Sequence, residues 1–262
     1  MPWARSAPRA IVMLLLARSA AADLPSQRDH AAPCRPTVSC TADLTTPGTL
    51  EVEAGFQSSR SATGIGTTTV SAPFLLKQTL SKLLQLQVGS NGYTGVRGDS
   101  HADYLDNLLL GAKLHLQDQK RFLPSLAVTA LLGVPMFSAA GYVQRLDAFV
   151  TAHASKDIGP IHADLNGGVL EWGVDATPVS QGLVALALSM SLPPPFGIAL
   201  ETYYFSDSAP VALRDGGVRL AISATPRPWL VFDFGADVGF FPSSRAFSAF
   251  FGVTIVPVVL WR

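Results

Sequence analysis

Segments of about ten residues in which apolar and polar side chains alternate recur along this 262-residue chain from residue 47 onward. Alternation with a period of two puts successive side chains on opposite faces of an extended strand, so each segment carries one apolar and one polar face. In GTLEVEAGFQ, Leu50, Val52, Ala54 and Phe56 point one way and Glu51, Glu53, Gly55 and Gln57 the other. NLLLGAKLHLQ sets Leu108, Leu110, Ala112, Leu114 and Leu116 against Gly111, Lys113, His115 and Gln117. WLVFDFGADV sets Leu230, Phe232, Phe234, Ala236 and Val238 against Asp233, Gly235 and Asp237. Such a chain has sheet as its only regular way to bury or cover its apolar faces.

The same reading predicts strands near 48–58, 67–78, 83–92, 106–117, 123–134, 147–156, 161–172, 181–191, 196–206, 217–224, 229–239 and 246–256. Each is close to the ten or so residues with which a tilted strand crosses a bilayer. The connections alternate in length. Short, polar or proline-containing turns (TLSK, QDQKR, KDIG, LPPP, TPRP) take turns with longer loops such as SNGYTGVRGDSHADYLD and SDSAPVALRDG. That rhythm marks an outer-membrane barrel, with short turns on the periplasmic side and long loops outside. A soluble sandwich also alternates, but its strands are shorter and its connections have no reason to keep such a rhythm. The apolar stretch GLVALALSMSLPPPFGIAL is no spanning helix, because three successive prolines interrupt it. Aromatic rings fall near strand ends, with Phe122, Trp229 and Trp261 at the short-turn end and Tyr93, Trp172, Tyr204, Phe240 and Phe241 at the other. Amphipathic rings favour the headgroup level of a membrane.

Ahead of the barrel pattern, Arg5 and Arg9 precede a short apolar run that ends in Ala20, Ala21 and Ala22. This is the form of a secretory signal, and the expected division is 1–22 signal peptide, 23–46 irregular periplasmic segment or lumen plug, and 47–262 transmembrane barrel. Export makes a disulfide between Cys34 and Cys40 in PCRPTVSC the expected state. Only 15% of the residues are charged and the net charge is zero, so no basic stripe exists to neutralise phosphates and nucleic acid is not an expected ligand.

Several ordered pieces carry a resemblance to a known family: TPGTLEVEAGF, LKQTLSKLLQLQVG, LLGAKLHL, DLNGGV, ALETYYF and TPRPWLVFDFGADVGF. In that order they resemble the outer-membrane transporter family labelled for the MetA pathway of phenol degradation. The resemblance implies a barrel that passes small, hydrophobic or aromatic molecules, and it supplies no catalytic residues. Many such barrels end in a strand with a terminal Phe, whereas this chain continues past FFGVTI into VPVVLWR.

The parity of the strands turns Glu51, Glu53, Lys77, Lys113, Asp164, Glu201, Arg219, Asp233 and Asp237 toward a lumen, as expected pore-lining groups. Carboxylates outnumber bases among them, which favours cations or neutral solutes. His153 and His162 share that parity on either side of KDIG, so a four-residue turn would set them opposite each other as weak metal candidates beside Asp164. No nucleophile motif such as G-x-S-x-G accompanies the histidines, and no enzyme activity or cofactor is expected. GIGTTT and GVRGDS sit in loops with no following helix, so they cradle no phosphate; the RGD within the second reads as a solvated loop. The overall expectation is an all-β, closed, antiparallel up-and-down transmembrane β-barrel of about twelve strands in the bacterial outer membrane. It would act as a porin-like passive channel for small-molecule uptake, with lipids, solutes and the outer-membrane assembly machinery as partners. A non-conducting structural or surface-interaction barrel is the alternative, and an outer-membrane lipid hydrolase a more remote one.

Overall fold

The computed structural model describes residues 30–61, 66–98, 101–136, 146–173, 179–207, 214–241 and 245–261. The signal segment 1–22, residues 23–29 and parts of the long loops lie outside the described residues. The described chain is a single closed antiparallel sheet with no helix. Its elements are β1 (Thr49–Ser61), β2 (Thr68–Ser71), β3 (Phe74–Thr79), β4 (Leu84–Ser90), β5 (Tyr93–Arg97), β6 (Ala102–Leu105), β7 (Leu108–Gln117) and β8 (Ser125–Val134). They continue as β9 (Asp147–Ile158), β10 (Ile161–Trp172), β11 (Val179–Ser191), β12 (Phe196–Phe205), β13 (Asp215–Arg227), β14 (Leu230–Gly239) and β15 (Arg245–Val259).

These fifteen elements form twelve staves, because three staves are interrupted. Gln57–Arg60 of β1 pair with β2 while Leu50–Ala54 pair with β3, so β2 and β3 are two halves of one stave bent at Pro73. Proline has no N–H to give to a ladder. The neighbouring stave breaks at Asn91 and Gly92 between β4 and β5, and the next at Asp106 and Asn107 between β6 and β7. Here side chains substitute for the ladder: Asn91 Nδ2 donates to Asp106 Oδ2 at 2.9 Å, and the Ser90 hydroxyl donates to the Asp106 carbonyl at 3.2 Å. The sequence reading ran the 67–78 strand unbroken through Pro73 and placed 93–105 in a long loop; the structure breaks the first stave at Pro73 and carries the next two past Asn91 and Asp106 as β5 and β6.

The barrel closes where β15 pairs with β1, from Thr49 opposite Val259 to Ser61 opposite Arg245. Closure removes sheet edges, which a lipid environment would leave unsatisfied. The unusual tail takes part in it: β15 runs on through Pro257, and Leu260 N–H donates to the Gly48 carbonyl at 2.8 Å. Gly48 has φ of +89°, and a Cβ there would lie 1.9 Å from the Trp261 carbonyl oxygen, so only glycine serves at this seam.

Outside the barrel lie the apolar faces, including Leu116 at 60% exposure and Phe234 at 62%. Of the aromatics expected at strand ends, Phe122, Trp229, Trp261, Tyr93, Tyr204 and Phe240 are exposed; Trp172 instead packs edge-on against Phe149, and Phe241 against Tyr204. Inside lie the polar faces, with Glu51 and Glu53 both fully buried. A buried carboxylate needs partners. Residues 30–46 provide them.

Candidate functional site

Residues 30–46 run as a finger through the barrel interior. The first limb starts at the short-turn end, where Ala31 N–H donates to the carbonyl of Pro228 in the β13–β14 turn at 2.9 Å. The second limb returns to that end and enters β1 at Thr49. Between them the finger is irregular, so its backbone groups have no sheet partner and must be satisfied by the wall. Lumen-facing side chains do this in sequence. Glu51 accepts the N–H of Ala32 at 2.9 Å, and Glu53 accepts those of Cys34 and Arg35 at 3.0 and 3.1 Å. Glu201 accepts the N–H groups of Val38 and Ser39, each at 2.7 Å. Asn166 accepts Cys40 N–H at 2.8 Å and donates to the Cys40 carbonyl at 2.9 Å. The Ser155 hydroxyl accepts Ala42 N–H at 2.6 Å. Cys34 and Cys40 are joined by a disulfide across the two limbs.

The charges of the wall are arranged by strand register. Lys77 lies opposite Glu51 across the β1–β3 pair and forms ion pairs with both Glu51 and Glu53, the latter at 2.6 Å, while donating to the Ala32 carbonyl at 2.7 Å. On the far wall Glu201, Arg219 and Asp237 are successive cross-strand neighbours. Arg219 pairs with Asp237 at 2.9 Å and donates to the Pro36 carbonyl at 2.8 Å. Arg35 of the finger reaches Asp233 at 3.4 Å and donates to the Phe251 carbonyl at 3.1 Å. Lys113 donates to the Thr41 carbonyl.

All nine expected lumen residues are turned inward. Most, however, meet the finger or one another. Only Asp164 and Arg219 of the nine line either of the two cavities described below. Glu51, Glu53, Lys77, Lys113, Glu201 and Asp233 contact the finger, while Asp237 contacts Arg219, Ser248 and Tyr203 of the wall. Sequence reading missed the groups that complete the site, Asn166, Ser155, Arg35 and Arg245. Asn166 and Ser155 share the inward parity and could have been read from it; Arg35 sits in an irregular segment with no period to follow.

The histidines are not opposite each other. The β9–β10 turn holds only Gly159 and Pro160, so His162 pairs with Asp157 and His153 with Asn166. Asp157 and Ile158, read as part of a four-residue turn, complete the strand instead. His153 Nδ1 lies 2.9 Å from Asn166 Oδ1 and His162 Nδ1 2.6 Å from Asp157. Among the described residues no group of three or more His, Cys, Asp or Glu gathers as a metal site. Of the RGD sequence, Arg97 pairs with Asp103 at 2.7 Å, and Asp99 lies outside the described residues.

Two cavities flank the finger. One of about 480 Å³ opens at the short-turn end, where Gly159, Pro160 and His162 line it together with Asp43, Asp157 and Asp164. The other, of about 540 Å³, opens at the long-loop end, lined by Arg219, Arg245, Tyr104, Phe205 and Asp106 among others. Arg35, Pro36 and Thr37 line both, so this stretch is the partition between them.

No family model matches the chain, and no curated protein matches it in sequence. Solved structures do. The chain is similar to an outer membrane channel from Pseudomonas putida F1, with a TM-score of 0.60 at 12% identity, over 82% of this chain and 97% of that one. It is similar to the NanC porin with a TM-score of 0.54 at 9% identity, over 79% of this chain and 98% of that one. The shared property is the fold, a barrel of the kind from which outer-membrane channels and porins are built.

Proposed function

We propose that this chain is a bacterial outer-membrane channel for small molecules, with the short-turn end facing the periplasm and residues 30–46 acting as its plug. The observation that carries this reading is the pair of cavities of about 480 and 540 Å³ that share the Arg35–Thr37 stretch as a wall, inside a barrel whose outer surface is apolar. A protein that served only to fill the membrane would need no water-sized chambers at both mouths. Passage then requires only that the tip of the plug shift, because the strands already provide the wall. The likeness of the fold to an outer membrane channel and to a porin supports this reading. The resemblance of the sequence pieces to the phenol-degradation transporter family favours hydrophobic or aromatic solutes.

Liposome swelling with the full-length protein, using a panel of sugars, amino acids and aromatic acids, tests the proposal. Swelling with at least one class is expected, and faster swelling after deletion of residues 23–46. No uptake in either form would leave the second reading, a closed structural barrel. That reading draws on one observation, the dense set of hydrogen bonds by which Glu53, Glu201 and Asn166 hold the plug.

A further inference from the structure

The two cavities differ in charge. The periplasmic chamber is lined by three carboxylates, Asp43, Asp157 and Asp164, and by one guanidinium, that of Arg35. Among the described residues the outer chamber reverses the ratio: Arg35, Arg219 and Arg245 line it against Asp106. Each of these arginines has a counter-ion, but most of those carboxylates stand behind the guanidinium and away from the cavity. The side chain of Asp233 is 1% exposed behind Arg35, and that of Asp237 is fully buried behind Arg219 and Arg245. Asp215 pairs with Arg245 at 2.8 Å without lining the cavity. Asp106 is already engaged, accepting from the Asn91 side-chain amide and from the Asn107 N–H. A solute in the chamber therefore meets guanidinium before it meets carboxylate.

The guanidiniums are also poised. Arg219 lies 4.8 Å from the Phe250 ring centroid and 5.6 Å from that of Tyr203, and Arg245 lies 5.5 Å from Tyr203. Stacked guanidinium planes keep their edges directed and lose little freedom on binding. Arg245 is 23% exposed and Arg35 17%, so both can be reached. Guanidinium recognises a carboxylate through paired N–H donors, which an ammonium does not reproduce. The remaining wall offers the rings of Tyr104 and Phe205 to the body of a solute.

We propose that the outer chamber is a capture site for small organic carboxylates, with Arg245 and Arg35 holding the carboxylate and Phe205 and Tyr104 contacting the rest of the molecule. This goes beyond the cation or neutral preference expected from the lumen residues as a set, because the plug covers most of the carboxylates on which that expectation rests. It rests on the channel reading for its purpose, but binding can be measured without transport.

Ligand-observed NMR on the detergent-solubilised full-length protein tests it with three probes that share a ring and differ in charge: benzoate, benzyl alcohol and benzylammonium. Benzoate is expected to bind at least tenfold more tightly than either of the others. Arg245→Gln is expected to reduce benzoate binding about tenfold. If Arg245→Gln fails to give the heat-resistant folded band of a barrel, Arg35→Gln, which alters the plug and leaves every strand intact, provides the same test. Equal binding of the three probes, or benzoate binding unchanged in a folded variant, would overturn the site. A protein that selects benzoate yet swells no liposome keeps the site and loses the channel; one that passes solutes without preferring benzoate does the reverse.

Discussion

Gly55 and Gly252 face each other across the β1–β15 seam, and the guanidinium of Arg35 lies in the space their missing side chains leave. A Cβ at Gly55 would come 2.4 Å from Arg35 Cζ, and its three nearest neighbours all belong to that guanidinium. Gly55→Ala is therefore expected to expel Arg35 and to spare the strand. The plug loses the bonds of Arg35 to Asp233 and Phe251, charge-assisted contacts worth about 1.5–3 kcal/mol each when buried. Liposome swelling should accelerate severalfold while the barrel's melting temperature changes little.

Glu201 fixes the outer tip of the plug. Replacing it with alanine leaves the N–H groups of Val38 and Ser39 without their acceptor and removes the carboxylate that lies 3.9 Å from Arg219. The expected loss is roughly 3 kcal/mol of plug docking. Glu201→Gln, which keeps an acceptor oxygen, should lose less. Protease cleavage of the plug in folded protein, followed by mass spectrometry, should rise in the order wild type, Gln, Ala.

Lys77 holds two buried carboxylates. Lys77→Met leaves Glu51 and Glu53 close together with no cation between them, and removing one member of a buried ionic group costs about 3–5 kcal/mol. A clear fall in melting temperature is expected. Adding Glu51→Gln to Lys77→Met should recover part of it, and failure of any recovery would show that Lys77 acts through packing alone.

The disulfide spans six positions, and closing so short a ring is worth about 2 kcal/mol against the open chain. Here that constraint acts on the plug, since Cys34 and Cys40 lie on its two limbs and not in the wall. Cys34→Ser together with Cys40→Ser should leave barrel folding intact and raise solute flux. Treating wild type with a reductant should reproduce the effect.

On the long-loop side of the three stave breaks, Tyr93 donates to Asp103 at 2.5 Å and Arg97 pairs with the same oxygen at 2.7 Å. The Tyr93 hydroxyl, and then the Arg97 guanidinium, hold the Asp103 carboxyl below the ordinary aspartate value of 3.8. A lowered carboxyl stabilises its contacts fully above the unfolded value and loses them as pH falls through the folded one. The β5–β6 hairpin should thus be unchanged from neutrality down to about pH 4 and loosen below it. NMR titration of the Asp103 carboxyl should give a midpoint under 3.8, and Tyr93→Phe should raise it.

The twelve staves were legible because a lipid-facing wall leaves a record at every second residue, as Leu108 to Leu116 and Phe232 to Val238 illustrate. The hairpin ends were less legible. KDIG looked like a turn because Lys156 and Asp157 are charged, yet both are strand residues and only Gly159 and Pro160 turn. The boundaries near Asn91 and Asp106 were visible, but the return of the sheet beyond them as β5 and β6 was not, because it depends on bonds between neighbouring staves that no local pattern encodes. The plug was the hardest to read. Its backbone is recognised by side chains up to 183 positions away, so Glu201 looked like a pore charge when it is an acceptor for Val38. Parity told which way Glu201 points, and nothing in the strand told what it would find there.

Both limbs of the plug pass through the same mouth of the barrel, the first beside Pro228 and the second into Gly48. Among the described residues nothing is threaded, and the tip can retreat toward the short-turn end as a bent rod leaves a sleeve, with the disulfide keeping its two arms together. A pull along the barrel axis from the short-turn end would draw it out without unpairing any strand. Exit for the plug therefore lies at one end of the barrel only, the end at which both its limbs are anchored.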